Sequence, residues 1–221
     1  RTFIANGVFV HNCYEHKTKG VIDLDSAKKF IDIILSQKMP LIEEKNKVNN
    51  GGIILDLIGG DALLYPKLCD DILTYFQFKL NTLRLPARAN WMCNICTNGS
   101  LFGNKEVRDF LLKWKDIMSI TVSLDGCPEI HDKYRVFPDG SPTMPVILKN
   151  FAWYRENFPV FSLSTKATCS KASIPYLYDS LVYLHETLGL KYINQNFIME
   201  DSGCTEEGYL LLDKQLEKCT D

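Results

Sequence analysis

The chain has 221 residues, of which 46% are hydrophobic, and a formal net charge of −2 at pH 7. This length and apolar content can bury one large core or two small ones. A near-neutral charge gives no basic field for nucleic acid or an anionic membrane, and no apolar run approaches the roughly 20 residues that span a bilayer. We therefore expect no nucleic acid and no membrane as partners.

The first element along the chain is a short strand at residues 8–10, which follows the turn signal Asn6-Gly7 and leads into His11-Asn12-Cys13. An asparagine side-chain amide can attack its own backbone carbonyl while a neighbouring histidine protonates the leaving amine. A thiol that follows can carry an acyl group. His11, Asn12 and Cys13 supply these three catalytic roles in order, although the same tripeptide also occurs by chance in polar loops.

This segment resembles the C-terminal end of an intein, a self-excising insert whose last residues commonly run Asn-Gly-x-x-Val-His-Asn. The resemblance implies a splicing junction between Asn12 and Cys13, with residues 1–12 as the intein tail. Since twelve residues are far too few for an intein, we expect the chain to be a fragment.

Beyond the junction, helical and extended patterns alternate. Asp25 or Ser26 is positioned to cap the first helix, Asn104 caps a later one, and Gly189 ends another. The predicted strands are residues 53–58, 91–97, 117–124, 160–168 and 191–199. The predicted helices contain residues 27–35, 68–76, 107–114, 146–154, 177–188 and 206–219. The nearly continuous apolar run at residues 53–58 is typical of a strand buried on both sides.

Strands that alternate with helices of 10 to 15 residues favour an α/β fold with a parallel sheet. A helix stands ahead of the five strands, so we expect the first strand to lie before residue 1. The fold class predicted is a partial (β/α)6 TIM-like barrel that lacks its first strand in this chain. In such a barrel the active site gathers at the C-terminal ends of the strands.

Eight cysteines are scattered through the chain without the density of a disulfide scaffold, which favours reduced thiols and a cytoplasmic protein. Cys93 and Cys96 have the spacing of a metal knuckle. They lie within one predicted strand, however, where residues three positions apart point to opposite faces. We expect this pair to pack in the core rather than to bind metal.

Unusual residues cluster at the predicted strand ends: Gly59-Gly60-Asp61, Thr97-Asn98-Gly99 and Ser123-Leu124-Asp125-Gly126. Together with His131-Asp132 and Arg135, these segments resemble radical S-adenosylmethionine (SAM) enzymes, whose motifs include Gly-Gly-Glu-Pro, Thr-Asn-Gly and Ser-Leu-Asp-Gly…His-Asp…Arg. The match is to the anaerobic sulfatase maturases and related peptide maturases of the SPASM type. Asp61 and Ala62 depart from the Glu-Pro of that pattern.

The resemblance implies a radical SAM core at residues 13–221, incomplete at both ends, and two cofactors, a [4Fe–4S] cluster and SAM. Cys13 matches the third cysteine of the Cys-x3-Cys-x2-Cys cluster loop, so two ligands would lie upstream. The SAM-binding residues implied are Gly59, Gly60, Asp61, Thr97, Asn98, Ser123 and Asp125. His131, Asp132 and Arg135 are expected to order their loop rather than to contact substrate.

The implied function is reductive cleavage of SAM to modify a peptide or protein substrate, with electrons from a donor such as flavodoxin or ferredoxin. The fragment alone, with one of three cluster ligands, is expected to be inactive. Two alternatives stay open. The chain is a cluster-less barrel that binds a peptide, or it is a passive extein whose chemistry is autoprocessing alone.

Overall fold

The computed structural model describes residues 2–5, 8–11, 20–38, 53–83, 91–158, 163–197 and 205–219. The strands are β1 (Thr2–Ala5), β2 (Val8–His11), β3 (Ile53–Leu57), β4 (Trp91–Thr97), β5 (Met118–Val122), β6 (Ser164–Cys169) and β7 (Tyr192–Phe197). The helices are α1 (Leu24–Ile33), α2 (Pro66–Thr82), α3 (Lys105–Lys113), α4 (Pro128–Tyr134), α5 (Met144–Asn157), α6 (Leu177–Val182) and α7 (Glu206–Glu217). Across these residues, no helix combines the length and apolar character needed to cross a membrane.

The strand predicted at residues 8–10 is confirmed as β2, which pairs antiparallel with β1 from Thr2↔His11 to Ala5↔Val8. Strand β1 was not predicted. Asn6 and Gly7, which connect the two strands, lie outside the described residues. Asn12 and Cys13 lie outside them as well.

The larger sheet is parallel and has five strands in the order β3-β4-β5-β6-β7. Each strand therefore lies beside the one that follows it in the chain, which confirms the predicted α/β fold with a parallel sheet. A βα barrel has the same sequential order. Whether this sheet forms part of such a barrel stays a prediction, as do the domain bounds at residues 1–12 and 13–221.

Most element positions agree with the sequence pattern, and two expectations are wrong. Helix α1 begins at Leu24 because Asp23, not Asp25 or Ser26, is its N-cap, with a carboxylate oxygen 2.8 Å from the Ser26 backbone N–H. Strand β3 is not buried on both sides. Ile54 is 60% exposed, since β3 stands at the end of the described sheet.

The chain forms two compact units, the first made of Arg1–Cys96 and Asn104–Ser119. In it α1 packs on α2 through apolar residues spaced along one face of each helix. The buried members of this cluster are Ala27, Ile31, Leu35, Ile72, Phe76 and Leu80. At the edge of the cluster the Tyr75 hydroxyl donates to the Asp32 carboxylate at 2.9 Å.

The second unit consists of Thr97–Gly103 and Ile120–Asp221. Strands β6 and β7 pair along their full length, from Ser164↔Tyr192 to Cys169↔Phe197. Buried and less buried residues alternate along β6, as expected for a strand covered on one face. The unit also contains the short helix α4, which the sequence pattern did not predict.

Candidate functional site

In the second unit, the ends of β4 and β5 are joined through Thr97 and Ser123. The Ser123 backbone N–H donates to the Thr97 carbonyl at 2.8 Å. The Thr97 side chain is 2% exposed, and its hydroxyl accepts from the Gly99 N–H at 3.2 Å. Two of the predicted SAM-binding residues, Thr97 and Ser123, are thus adjacent.

The turn that follows Thr97 requires a glycine at position 99. Gly99 has a φ of 77°, and a Cβ there would lie 2.9 Å from the Val122 side chain. The buried Asn150 amide donates to the Gly99 carbonyl at 3.3 Å. Asn98 is exposed at the tip, and its side-chain oxygen accepts from the Ser100 N–H at 2.8 Å. The turn therefore has a fixed conformation.

Asp125 is held by three hydrogen bonds from its own unit. The Arg135 guanidinium binds both carboxylate oxygens, at 2.5 and 3.0 Å, and the Thr168 backbone N–H donates at 2.8 Å. A second bond, 3.3 Å long, runs from Arg135 Nη2 to the Thr168 hydroxyl. The Asp125 side chain is 5% exposed. These contacts join the loop after β5 to α4 and to the end of β6.

His131 lies beneath this pair and is fully buried. Its Nδ1 accepts from the Asp125 N–H at 3.3 Å, and its Nε2 lies 3.0 Å from the Thr143 hydroxyl. Burial lowers the pKa of His131, because the cationic form would lose its solvation. Asp132 accepts from the backbone N–H groups of Thr143 and Met144 at 2.8 and 2.9 Å. His131, Asp132 and Arg135 therefore order the loop, as their sequence motif indicated.

Gly126 is a second position at which the fold requires glycine. It has a φ of 150°, and a Cβ at this position would lie 2.2 Å from the Ser180 hydroxyl oxygen on α6. Helix α6 therefore packs directly against the backbone of the loop that carries Ser123 and Asp125. The motif predicted a turn here, but it gave no sign of the close contact with α6.

In the first unit, the turn after β3 is built differently. Neither Gly59 nor Gly60 has a positive φ, and a Cβ at either position would meet no atom within 4 Å. The Asp61 side chain accepts from the Leu63 N–H at 3.1 Å and caps the short helical turn Ala62–Leu64. Neither steric contact nor backbone conformation within the described residues explains this pair of glycines.

The cysteines within the described ranges form no disulfide with one another and no cluster site. No group of three His, Cys, Asp or Glu side chains in that part of the chain could hold a metal ion. Cys93 is buried in β4, and burial raises its thiol pKa, which confirms the expected core packing for that residue. Cys96 is half-buried. Burial also raises the pKa of Cys69 to about 12, so that thiol stays protonated.

The comparisons with known proteins concern the fold. No family model and no curated protein matches the sequence. Among solved structures, native anSMEcpe, an anaerobic sulfatase maturase, with bound AdoMet (SAM) is similar over 94% of this chain, with a TM-score of 0.72 and 16% identity. The structure of the same protein with AdoMet and the Kp18Cys peptide is similar over 94% of this chain, with a TM-score of 0.71 and 17% identity.

These likenesses show that the chain shares its fold with the matched part of anSMEcpe. The chain covers 55% and 54% of the two solved chains, or about half their length. At 16–17% identity the likeness shows the fold alone and assigns no cofactor, substrate or residue role to this chain.

Proposed function

We propose that the chain is part of a radical SAM enzyme that cleaves SAM reductively and modifies a peptide or protein. The support is a fold shared with AdoMet-bound maturases, together with polar residues at the ends of parallel strands, where α/β proteins bind ligands. The observation that carries most weight is the Thr97–Ser123 junction, because it fixes two polar strand ends in one unit.

In this proposal Ser123 donates a hydrogen bond to the SAM carboxylate, while Thr97 and Asn98 line its methionyl or ribose side. Ser123 is half-buried, and its backbone is fixed by the bond to Thr97. A backbone fixed in this way reduces the conformational freedom that the residue loses when a ligand binds. Asp125 acts indirectly, since its carboxylate is engaged by Arg135 and Thr168.

The Gly59-Gly60-Asp61 turn is a separate proposal for contact with the SAM ammonium. Open space at both glycines would let a ligand approach the backbone carbonyls closely. The Asp61 carboxylate already caps the turn that follows, and aspartate is one methylene shorter than the family's glutamate. Contact through the backbone is therefore better supported than contact through Asp61.

For the cluster, we propose Cys13 as one ligand, with two more supplied from upstream. Cys13 lies outside the described residues, and the described part of the chain provides no alternative set of three ligands. When bound, such a cluster supplies the electron that cleaves SAM. The proposed electron donor is a flavodoxin or ferredoxin, and the peptide-bound form of anSMEcpe supports a peptide as the substrate class.

We also propose that His11, Asn12 and Cys13 form the splicing junction of an intein. The support is the Val8–His11 strand, which leads directly into the junction, as the sequence pattern predicted. In the precursor the insert would separate the cluster ligands. Splicing would therefore have to precede activity.

The proposed SAM site is tested by measuring the affinity of the full-length protein for S-adenosylhomocysteine, which binds without being cleaved. Ser123→Ala should weaken binding about tenfold to a hundredfold, the value of one hydrogen bond to a charged group. Ser141→Ala is the control, because the Ser141 hydroxyl bonds to Asp139 in an exposed turn. Unchanged affinity in Ser123→Ala would remove Ser123 from the site. No binding by the wild type would contradict the proposal and favour a cluster-less peptide-binding module.

A further inference from the structure

Four residues of the second unit form a closed ring of hydrogen bonds. The Asp125 N–H donates to His131 Nδ1 at 3.3 Å, and His131 Nε2 lies 3.0 Å from Thr143 Oγ1. The Thr143 hydroxyl donates to the Arg135 carbonyl at 2.7 Å. The Arg135 guanidinium closes the ring by donating two hydrogen bonds to the Asp125 carboxylate, at 2.5 and 3.0 Å. The ring joins the loop after β5, helix α4, the residue that follows α4 and the residue before α5.

The direction of the ring fixes the state of His131. Because a backbone N–H points at Nδ1, that nitrogen must carry a lone pair, so the proton of the neutral imidazole lies on Nε2. Nε2 then donates to Thr143, whose own hydroxyl proton is directed at the Arg135 carbonyl. The Thr143 hydroxyl has a longer alternative acceptor in Asp132, at 3.4 Å, and either choice leaves its oxygen able to accept from Nε2. A second proton on His131 would place two N–H groups against each other at Nδ1 and break the bond to Asp125.

Three charged groups face His131 from the elements packed against it within the described residues. Asp125 and Asp132 favour its protonation, whereas Arg135 and burial oppose it, and burial is the largest influence. The two carboxylates are engaged elsewhere, Asp125 by Arg135 and Asp132 by the start of α5. The neutral form of His131 is therefore the one that this packing accommodates.

The bond that protonation would break lies two residues from Ser123. Ser123 and Asp125 share one loop, which is anchored on one side by the Ser123 N–H to Thr97 and on the other by the Asp125 N–H to His131. Loss of the second anchor leaves the Asp125 carboxylate bonded to Arg135 and Thr168, and the Leu124 carbonyl bonded to the Thr165 hydroxyl, but it removes the bond that orients the Asp125 peptide group. A change in that peptide group would move the Ser123 backbone, and with it the side chain, from the position in which a ligand would meet it.

We propose that His131 is a positioning residue for the Ser123–Gly126 loop, and that ligand binding by this loop requires the neutral, Nε2-protonated imidazole. The inference rests on the proposed SAM site and adds a pH-dependent control to it. His131 itself contacts no ligand, because its side chain is fully buried. Its effect on binding passes through Ser123.

The test is the affinity for S-adenosylhomocysteine between pH 7.5 and 5.5, measured by calorimetry on full-length wild type, Ser123→Ala, His131→Asn and the double variant. Wild-type affinity should decrease as the pH is lowered. The decrease should be at most about tenfold to a hundredfold, the contribution of one hydrogen bond from Ser123. In Ser123→Ala the affinity should fall less than about twofold over the same pH range, because this variant already lacks the Ser123 hydrogen bond to the ligand. Asparagine keeps an acceptor near Nδ1 and does not titrate, so His131→Asn should bind with a nearly constant affinity.

A purely structural histidine would give a different pattern. If Ser123→Ala shows the same fall with pH as the wild type, His131 does not act through Ser123 and the inference is wrong. If His131→Asn does not fold, the ¹⁵N shifts of the His131 ring in the wild type decide the matter. Nδ1 should be unprotonated at pH 7.5 and become protonated over the pH range in which affinity falls, and protonation outside that range would overturn the inference. If wild type binds no S-adenosylhomocysteine even at pH 7.5, the proposed SAM site itself is contradicted.

Discussion

The turn after β3 and the loops after β4 and β5 contain the same type of signal, a glycine near a polar residue, but the chain uses their glycines differently. Gly99 and Gly126 have positive φ and lie in close contact with Val122 and Ser180. Gly59 and Gly60 meet neither condition. In the second unit, therefore, glycine is required by the fold. In the first unit, no described residue imposes such a requirement on Gly59 or Gly60, and we propose that a ligand does.

The largest expected effect in this comparison is that of Gly126→Ala. The substitution adds backbone strain and places a methyl group 2.2 Å from the Ser180 oxygen, so we expect a loss of about 3–5 kcal/mol in unfolding free energy. Urea unfolding measures it. Gly140→Ala is the control, because Gly140 also has a positive φ of 82° but open space around its Cβ. It should lose only about 1 kcal/mol, and equal losses in the two variants would show that contact with α6 does not matter.

The next effect concerns the ion pair that holds the loop after β5. Arg135→Met leaves the Asp125 carboxylate, 5% exposed, without its cation. Breaking a fully buried pair costs about 3–5 kcal/mol, and the 31% exposure of Arg135 lowers our expectation to about 2–3 kcal/mol. Lys133→Met is the control, because it removes an exposed charge two residues earlier, within α4, and should change stability by less than about 0.5 kcal/mol. Equal unfolding free energies for the two variants would contradict this account of the loop.

A smaller effect is a pH dependence of stability that belongs to the second unit. Since burial lowers the folded pKa of His131 below its usual value of 6.5, the unfolded chain binds more protons as the pH falls through that range. Stability should be complete above about pH 6.5 and decrease as the pH falls toward the folded pKa of His131. The decrease should be smaller in His131→Asn, as measured by thermal unfolding in a pH series. An identical decrease would assign it to other groups.

The smallest effect on stability, and the most informative, is expected for Gly60→Ala. No described residue lies within 4 Å of a Cβ at this position, so the unfolding free energy should stay within about 1 kcal/mol of wild type. A small increase in stability is the expected direction, because alanine restricts the unfolded chain more than glycine does. The affinity for S-adenosylhomocysteine should nevertheless fall. A stable variant with unchanged affinity would show that this glycine serves no ligand.

The sequence alone predicted much of the fold because hydrophobic periodicity marks buried faces directly. It located β4 at Trp91–Thr97 and identified Asn104 as a helix cap. It missed α4, which has seven residues and is too short for a periodic pattern. It also misjudged Ile54, because an apolar run reports composition and not the position of its strand in the sheet.

For the candidate site, the sequence motifs predicted which loops form it, which stays a prediction, but they did not predict the contacts that hold those loops. The pairing of Asp125 with Arg135 and Thr168 joins positions up to 43 residues apart, and no local pattern predicts such a contact. The ring through His131 depends on the tautomer of one side chain, which only the surrounding donors determine. The splicing and cluster roles of Cys13 stay predictions.

The most direct test of the central claim is formation of 5′-deoxyadenosine from SAM by the full-length protein, reconstituted anaerobically with its cluster and reduced with dithionite. We expect the spliced wild type to form it. Cys13→Ser should still splice in part, because a hydroxyl can accept an acyl group, but its cluster should be lost or labile because serine is a poor iron ligand. Product mass measures splicing independently of SAM cleavage. A wild-type protein with an intact cluster that forms no 5′-deoxyadenosine, or a spliced Cys13→Ser variant that cleaves SAM at the wild-type rate, would contradict the account.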